Sequence, residues 1–242
     1  MKLKKPVVDY TKIRLNNITS KEYRHIWLCI IFWAVFATLF TLEEKVFTWQ
    51  TFHPVHCFLD DIIPFNEWFV IPYMYWFVFI TGMFVYTMLY DIKIYKRFQL
   101  YMAITYFTAL ITYLIYPTCQ ELRPIVFERD NILTWVASQV YSSDTSTNVC
   151  PSIHVMGACA VWSASMYIDR FRKIGWQIFY GITTILICMS TVFMKQHSVI
   201  DVFCALPVCA IAHYICFVRP ARKEKQALTT EKTNNIYKHT VG

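Results

Sequence analysis

Two histidines and one aspartate in the second half of the chain carry its strongest chemical signal. His197 and Asp201 are four residues apart, which places them on one face of a helix within hydrogen-bonding reach. A carboxylate bound to one imidazole nitrogen fixes the tautomer and makes the other nitrogen a better nucleophile or base. His154 offers a second titratable ring that can protonate a leaving group. The three residues therefore predict covalent and acid–base chemistry at a pair of histidines.

An anion site is predicted beside these histidines. Pro151 suits the first turn of a helix, and the free N–H groups that follow it, with the Ser152 hydroxyl, can bind an anion. Arg123 can hold phosphate oxygens with two hydrogen bonds, and Lys195 adds a point charge. Phosphoryl transfer is the reaction class that uses all of these groups. Asp201 has no second carboxylate beside it, so no metal site is predicted.

The elements that must position these residues are long apolar runs. Hydrophobic residues make up 56% of the chain and charged residues only 16%, against about 25% charged residues in a soluble domain. The five glycines are too few and too scattered for a glycine-rich phosphate loop or a dinucleotide fingerprint. The sequence predicts an all-α bundle of six transmembrane helices. The six runs cover 26–42, 68–90, 99–116, 151–168, 176–194 and 199–218, and Arg219-Pro220 is expected to end the last.

The distribution of basic residues predicts the topology. Of 23 lysine and arginine residues, 19 fall in the N-terminal segment, the second-to-third loop, the fourth-to-fifth loop and the C-terminal tail. The positive-inside rule then puts both termini in the cytoplasm and the site on the non-cytoplasmic face of the cell membrane. The predicted organisation is a basic segment 1–25, a membrane domain 26–218 and a basic tail 219–242. Such flanks explain the net charge of +7, so no nucleic-acid partner is expected.

Three short motifs resemble those of the type-2 phosphatidic acid phosphatase superfamily of integral membrane enzymes. The family pattern is approximately K-x6-R-P, P-S-x-H and S-R-x5-H-x3-D. Arg123-Pro124 is similar to the end of the first motif, and the segment 151–154 matches the second. The third motif is matched by Ser190, His197 and Asp201. Two family cations are absent, because Tyr116 and Thr191 stand at their positions.

The resemblance implies a role for each matched residue. His197 would be the nucleophile that forms a phosphohistidine, Asp201 would orient it, and His154 would protonate the leaving alkoxide and then activate the acceptor. Neither a metal nor an organic cofactor would be needed. The expected phosphate-binding residues are Arg123, Ser152, Lys195, Gln120 and Ser190, with Lys195 and Gln120 as replacements for the absent cations.

Three functions stay open at this point. The first is a metal-independent phosphatase that releases phosphate from a lipid phosphate of the phosphatidic acid or polyprenyl phosphate class. The second is a transferase that moves a lipid phospho-headgroup to an alcohol, similar to inositol-phosphoceramide synthase. The third is a non-catalytic channel, transporter or scaffold. The expected partners are the lipid substrate and membrane lipids, with no obligate protein partner.

Two features of the outward segments complete the predictions. The segment 43–67 mixes apolar and acidic residues and predicts an interfacial turn or short helix, in which Asp60 and Asp61 have a structural role. It also holds His53, His56 and Cys57, which lack a convincing fourth metal ligand. The outward cysteines are Cys57, Cys119 and Cys150, and the sequence leaves open whether two of them form a disulfide.

Overall fold

The computed structural model describes residues 5–45 and 51–241, and this part of the chain is mostly helical. Lys2 and Lys4 of the predicted basic segment lie outside the described residues. The helices are α1 (Arg24–Lys45), α2 (Phe58–Ile62), α3 (Val70–Tyr90), α4 (Ile92–Ile115), α5 (Ile132–Ser143), α6 (Ile153–Ser165), α7 (Ile174–Phe193), α8 (Val199–His213) and α9 (Arg219–Val241). Strands β1 (His53–Pro54) and β2 (Thr118–Cys119) form a parallel pair.

Five helical segments of the described chain are long and apolar enough to cross a membrane. They are Arg24–Lys45, Glu67–Tyr90, Ile92–Ile115, Ile174–Phe193 and Val199–Glu231. These segments confirm the membrane character of the chain. The full count of six spans and the side of the termini stay predictions.

The fourth predicted span differs most from the structure. Helix α6 has 13 residues, so it is about 20 Å long and shorter than the hydrocarbon core of a bilayer. Ten of its residues are buried, and it packs against α3, α4, α7 and α8. A helix that is enclosed by other helices is covered by protein, so its length is not set by the bilayer. Helix α6 is the central element of the bundle.

Two predicted boundaries are wrong. Helix α4 begins at Ile92 rather than at 99, because Asp91 caps it by accepting a hydrogen bond from the Ile94 N–H at 3.0 Å. The basic residues assigned to the preceding loop therefore lie in the first turns of α4. The helix after α8 also continues through Pro220, since a π-helical turn (Tyr214–Val218) precedes it and displaces the carbonyl that the proline ring would meet.

The close packing around α6 depends on Gly157. A β-carbon at this position would lie 2.6 Å from Ile80 Cδ1, 2.8 Å from the Tyr106 hydroxyl and 2.9 Å from Trp76 Nε1. These distances are shorter than van der Waals contacts, so any side chain at this position would force the buried side chains of Ile80, Tyr106 and Trp76 to move. The glycine thus holds the first turns of α6, which carry His154, against two of the spans.

Candidate active site

His197 and Asp201 form the pair that their spacing predicts. His197 Nδ1 lies 3.1 Å from Asp201 Oδ2, and both side chains are buried. The pair does not lie on one helix, however, because His197 precedes Ser198, the N-cap of α8. The same Asp201 oxygen accepts the Ser198 N–H at 3.0 Å, as part of a capping box. When Asp201 accepts from Nδ1–H, the Nε2 lone pair of His197 is free to attack an electrophile.

His154 faces His197 from the first turn of α6. The two ring centroids are 5.8 Å apart. Tyr73 and Trp76 pack on the His154 ring with centroid distances of 4.7 Å and 4.5 Å. The backbone is held as well, because Trp76 Nε1 donates to the His154 carbonyl at 2.9 Å. This aromatic enclosure fixes the His154 ring relative to His197.

Both histidines line one cavity of about 330 Å³. Its apolar lining includes Phe40 of α1, Met74 and Phe77 of α3, Val140 of α5 and Ile153 of α6. Its polar lining includes Glu44, Asp144, Thr145, Asn148 and Gln196. A cavity with this mixed lining fits an amphipathic ligand that carries a polar group at the histidines.

Arg123 holds one side of this cavity and is absent from its described lining. Nη1 donates to the carbonyls of Tyr141 (3.2 Å) and Asp144 (2.9 Å). Nη2 donates to the Thr145 carbonyl (2.7 Å) and to Gln196 Oε1 (2.5 Å). Protein acceptors therefore use both Nη groups, and only Nε has no partner. Binding of phosphate by Arg123 stays a prediction, whereas its hydrogen bonds to residues of the cavity wall are present in the structure.

Lys195 also has a protein partner. Its Nζ donates to the Asp60 carbonyl at 2.7 Å, and the side chain is buried. Burial lowers the pKa of Lys195, and the carboxylates of Asp60 and Asp61 oppose that shift. The ammonium is directed to α2, so its role as a phosphate ligand is not supported by a contact in this geometry. Lys195 has a φ of 51°, a left-handed conformation that is uncommon for a lysine.

Asp60 is the residue that the sequence analysis underestimated. Its Oδ2 accepts from the Ser198 hydroxyl (2.6 Å) and from Cys57 N–H (2.8 Å), and its Oδ1 accepts from Val199 N–H (2.9 Å). Burial by itself would raise the pKa of Asp60, but these hydrogen bonds outweigh it and lower the pKa. No local signal predicts the contacts of Asp60 to Ser198 and Val199, which lie 138 and 139 residues away, whereas its contact to Cys57 is local.

The other three predicted phosphate ligands lie in different environments. Ser152 is the buried N-cap of α6, its Oγ has no partner, and its N–H donates to the Asp201 carbonyl at 3.2 Å. Gln120 is buried, and its Oε1 accepts Leu122 N–H while its Nε2 has no partner. Ser190 donates within α7 to the Ile187 carbonyl at 2.6 Å and is absent from the described lining of the cavity.

Asn148, which none of the three motifs includes, also lies at the site. It lines the cavity, is only 5% exposed and has a φ of 54°. Its N–H donates to the Thr118 carbonyl of β2 at 2.5 Å, while neither side-chain atom has a partner. Asparagine tolerates the left-handed region better than most residues. The motif reading missed Asn148 because it lies outside the P-S-x-H segment.

Several buried hydrogen-bond donors at or next to the cavity lack a protein acceptor. An unsatisfied buried donor costs about 1–3 kcal/mol, and a ligand with several acceptor oxygens would satisfy such donors. A phosphoryl group has this chemistry. The donor atoms are Gln120 Nε2, Arg123 Nε, Asn148 Nδ2, Ser152 Oγ and Gln196 Nε2.

The described residues contain no cluster of three or more side chains suited to a metal ion. His53 instead stacks on Tyr116 with a centroid distance of 4.2 Å, and His56 lies 2.7 Å from Asp61. Cys57, Cys119 and Cys150 are free thiols in this structure.

The fold and the site together describe a helical membrane protein with a buried histidine pair at a cavity of mixed polar and apolar lining. The model of the PAP2 superfamily matches residues 95–225, which is more than half of the chain and includes His154, His197 and Asp201. The chain therefore belongs to the PAP2 superfamily. Membership indicates phosphoryl transfer or phosphatase activity on phosphate esters. Neither a curated protein nor a solved structure matches the chain.

Proposed function

We propose that this protein is a membrane-embedded phosphatase that hydrolyses a lipid phosphate through a phosphohistidine on His197. The observation that carries the proposal is the 5.8 Å approach of the His154 and His197 rings across the cavity, with Asp201 bound to the far nitrogen of His197. His197 Nε2 attacks the phosphorus, the bond to the leaving oxygen breaks, and His154 gives that oxygen a proton. Water then loses a proton to His154 and attacks the phosphohistidine, which frees inorganic phosphate and restores His197.

A lipid substrate is supported by the side of the cavity that α3 forms. Met74 and Phe77 line the cavity and are 41% and 52% exposed on the surface of a membrane-spanning segment. An opening at this position lets an acyl or prenyl chain lie along α3 while the phosphate reaches the histidines. No metal or organic cofactor takes part in the proposed steps.

The proposal includes the orientation of the protein in the cell membrane. The site lies at the ends of α4 and α7 and at the starts of α3, α6 and α8, whereas the basic first turns of α4 lie at the other end of the bundle. The positive-inside rule then favours a non-cytoplasmic site and a membrane domain 26–218 between basic cytoplasmic flanks.

Transfer of a phospho-headgroup is the second candidate function. Glu44 and Asp144 are carboxylates in the described lining of the cavity, which holds neither lysine nor arginine. Carboxylates repel the dianion of a phosphate monoester more than the monoanion of a phosphodiester, and they accept hydrogen bonds from a headgroup hydroxyl or ammonium. This lining favours a diester whose headgroup phosphate passes to an alcohol.

The test is a labelled turnover with the purified protein in a bilayer. Radiolabelled phosphatidic acid should release free phosphate if the acceptor is water, whereas a labelled diester should give a new lipid if the acceptor is an alcohol. Denaturing gels should show an acid-labile phosphoenzyme that His197→Ala abolishes. With a good leaving group, His154→Ala should accumulate the label because water still needs a base.

The matched control is His213→Ala, since His213 lies at the far end of α8 and outside the described lining of the cavity. This variant should keep both turnover and label. Label that persists in His197→Ala would contradict the covalent role of that histidine.

A further inference from the structure

The exposed surface of α2 is mostly apolar and also carries Asp61, which pairs with His56, whereas the side chain of Asp60 is buried. Phe58, Leu59 and Ile62 are 74%, 45% and 58% exposed, whereas Asp60 between them is 2% exposed. A five-residue helix with three large apolar side chains in water would lose the favourable free energy of transferring them out of water. The apolar face of α2 therefore fits a non-aqueous surface, while Asp60 faces the protein.

The position of α2 identifies that surface. Asp60 Oδ1 accepts the N–H of Val199, the first residue of a membrane-spanning segment, so α2 lies at the level where this span begins. Other exposed apolar side chains on this side of the bundle, in the segment between α4 and α6, are Ile125, Val126, Ile132 and Trp135. Large apolar residues with tryptophan at this depth are typical of the boundary between headgroups and acyl chains.

The buried face of α2 holds the segment that carries His197. Lys195 Nζ donates to the Asp60 carbonyl at 2.7 Å, the Ser198 hydroxyl donates to Oδ2 at 2.6 Å, and Val199 N–H donates to Oδ1 at 2.9 Å. These contacts bracket His197 on both sides. A displacement of α2 therefore moves the loop that sets the His197 ring and its bond to Asp201.

We propose that α2 is an interfacial anchor through which the lipid surface positions His197, with Asp60 as the positioning residue. The partner of α2 is the headgroup–acyl boundary of the bilayer that the protein spans. The inference rests on the proposed function, because it names a requirement of the same histidine. It implies that turnover is faster when α2 contacts a bilayer than when it contacts a detergent micelle.

The test compares kcat and KM in phosphatidylcholine nanodiscs and in micelles, with p-nitrophenyl phosphate as a soluble probe. The variants are Phe58→Ser/Ile62→Ser, Asp60→Asn and their combination. Each variant should lower the nanodisc-to-micelle ratio of kcat by about tenfold. The KM should change little, because the variants displace the His197 ring and leave the contacts to the phosphate in place. The combined variant should have the same ratio as the more strongly affected of the two variants, because both changes break the same link between the lipid surface and His197.

Ile125→Ser/Val126→Ser is the matched control, since it removes exposed apolar surface on the same side without touching Asp60. This control should keep the wild-type ratio. A control that falls as far as the α2 variants, or a combination whose effects multiply, would overturn the coupling.

Hydrogen–deuterium exchange gives a readout that does not need activity. The Val199 amide should be protected in nanodiscs and should exchange at least tenfold faster in Phe58→Ser/Ile62→Ser, because its acceptor is Asp60. Unchanged exchange would overturn the inference even if turnover is high. A wild-type protein that hydrolyses no phosphate ester, but shows the exchange difference, would refute the proposed function alone.

Discussion

Replacement of Arg123 by lysine tests whether this residue holds the wall of the cavity or binds the phosphate of the substrate. The guanidinium makes four hydrogen bonds, to the carbonyls of Tyr141, Asp144 and Thr145 and to Gln196 Oε1, and it stacks on the Tyr141 ring at 4.8 Å. A lysine is shorter and lacks the planar fork, so it cannot reach all four acceptors. Loss of two such bonds, at about 1.5 kcal/mol each, gives about 3 kcal/mol.

The expected result of Arg123→Lys is a loss of stability with a slower reaction. A loss of about 3 kcal/mol corresponds to a fall in melting temperature of about 6–12 °C for a chain of this size. Turnover should fall because Gln196, the neighbour of His197, loses its partner. The KM for a phosphate ester should change less than threefold, since neither Nη group of Arg123 is free for the substrate.

The assay is a thermal melt in detergent together with steady-state kinetics. Arg129→Lys is the matched control, because Arg129 has an exposed side chain and one ion pair, with Glu67 Oε1 at 3.1 Å. A lysine keeps the positive charge beside the buried Glu67 carboxylate, so this control should lose less melting temperature than Arg123→Lys. An unchanged melting temperature with a KM raised more than tenfold in Arg123→Lys would refute the wall-holding role and assign Arg123 to the phosphate.

Four further outcomes are expected. The Asp144 carboxylate lies in the described lining of the cavity, so Asp144→Asn should remove a charge that repels a phosphate and lower the KM for a phosphate monoester severalfold; a higher KM would favour the headgroup-transfer candidate. Turnover should survive EDTA, and a loss that one divalent ion restores would contradict the histidine mechanism. Hydrogen bonds hold the pKa of Asp60 below its ordinary 3.8, so its stabilisation is complete above that pH and is lost as the pH falls through the lower folded-state pKa. Asp60→Asn should therefore flatten the dependence of melting temperature on pH below about 4. A curve that matches the wild type would contradict the stabilising role of the hydrogen-bonded Asp60 carboxylate. A single reporter cysteine in the segment 142–148, in a cysteine-free background, should react with an impermeant reagent in intact cells; protection until permeabilisation would reverse the topology.

The amino-acid sequence alone was sufficient for features that depend on composition or on short separations along the chain. Five of the apolar runs correspond to helices that can cross a membrane. The His197–Asp201 pair was also predictable, because a spacing of four residues fixes which side chains can meet near a helix terminus. The start of α6 was predicted at Pro151, two residues before its first residue, Ile153. The short helix α2 in the segment 43–67 follows from the same local patterns.

The tertiary structure decided everything that depends on partners far apart in the sequence. Asp60 and Asp61 are adjacent acidic residues, yet only Asp60 binds the start of α8, 138 residues away. The sequence suggests that Arg123 is a cation free to bind a ligand, but the fold places four hydrogen-bond acceptors around its guanidinium. The length of α6 likewise follows from its enclosure by other helices. Local spacing cannot encode such contacts, because the free energy of a buried polar group depends on which distant atoms satisfy it.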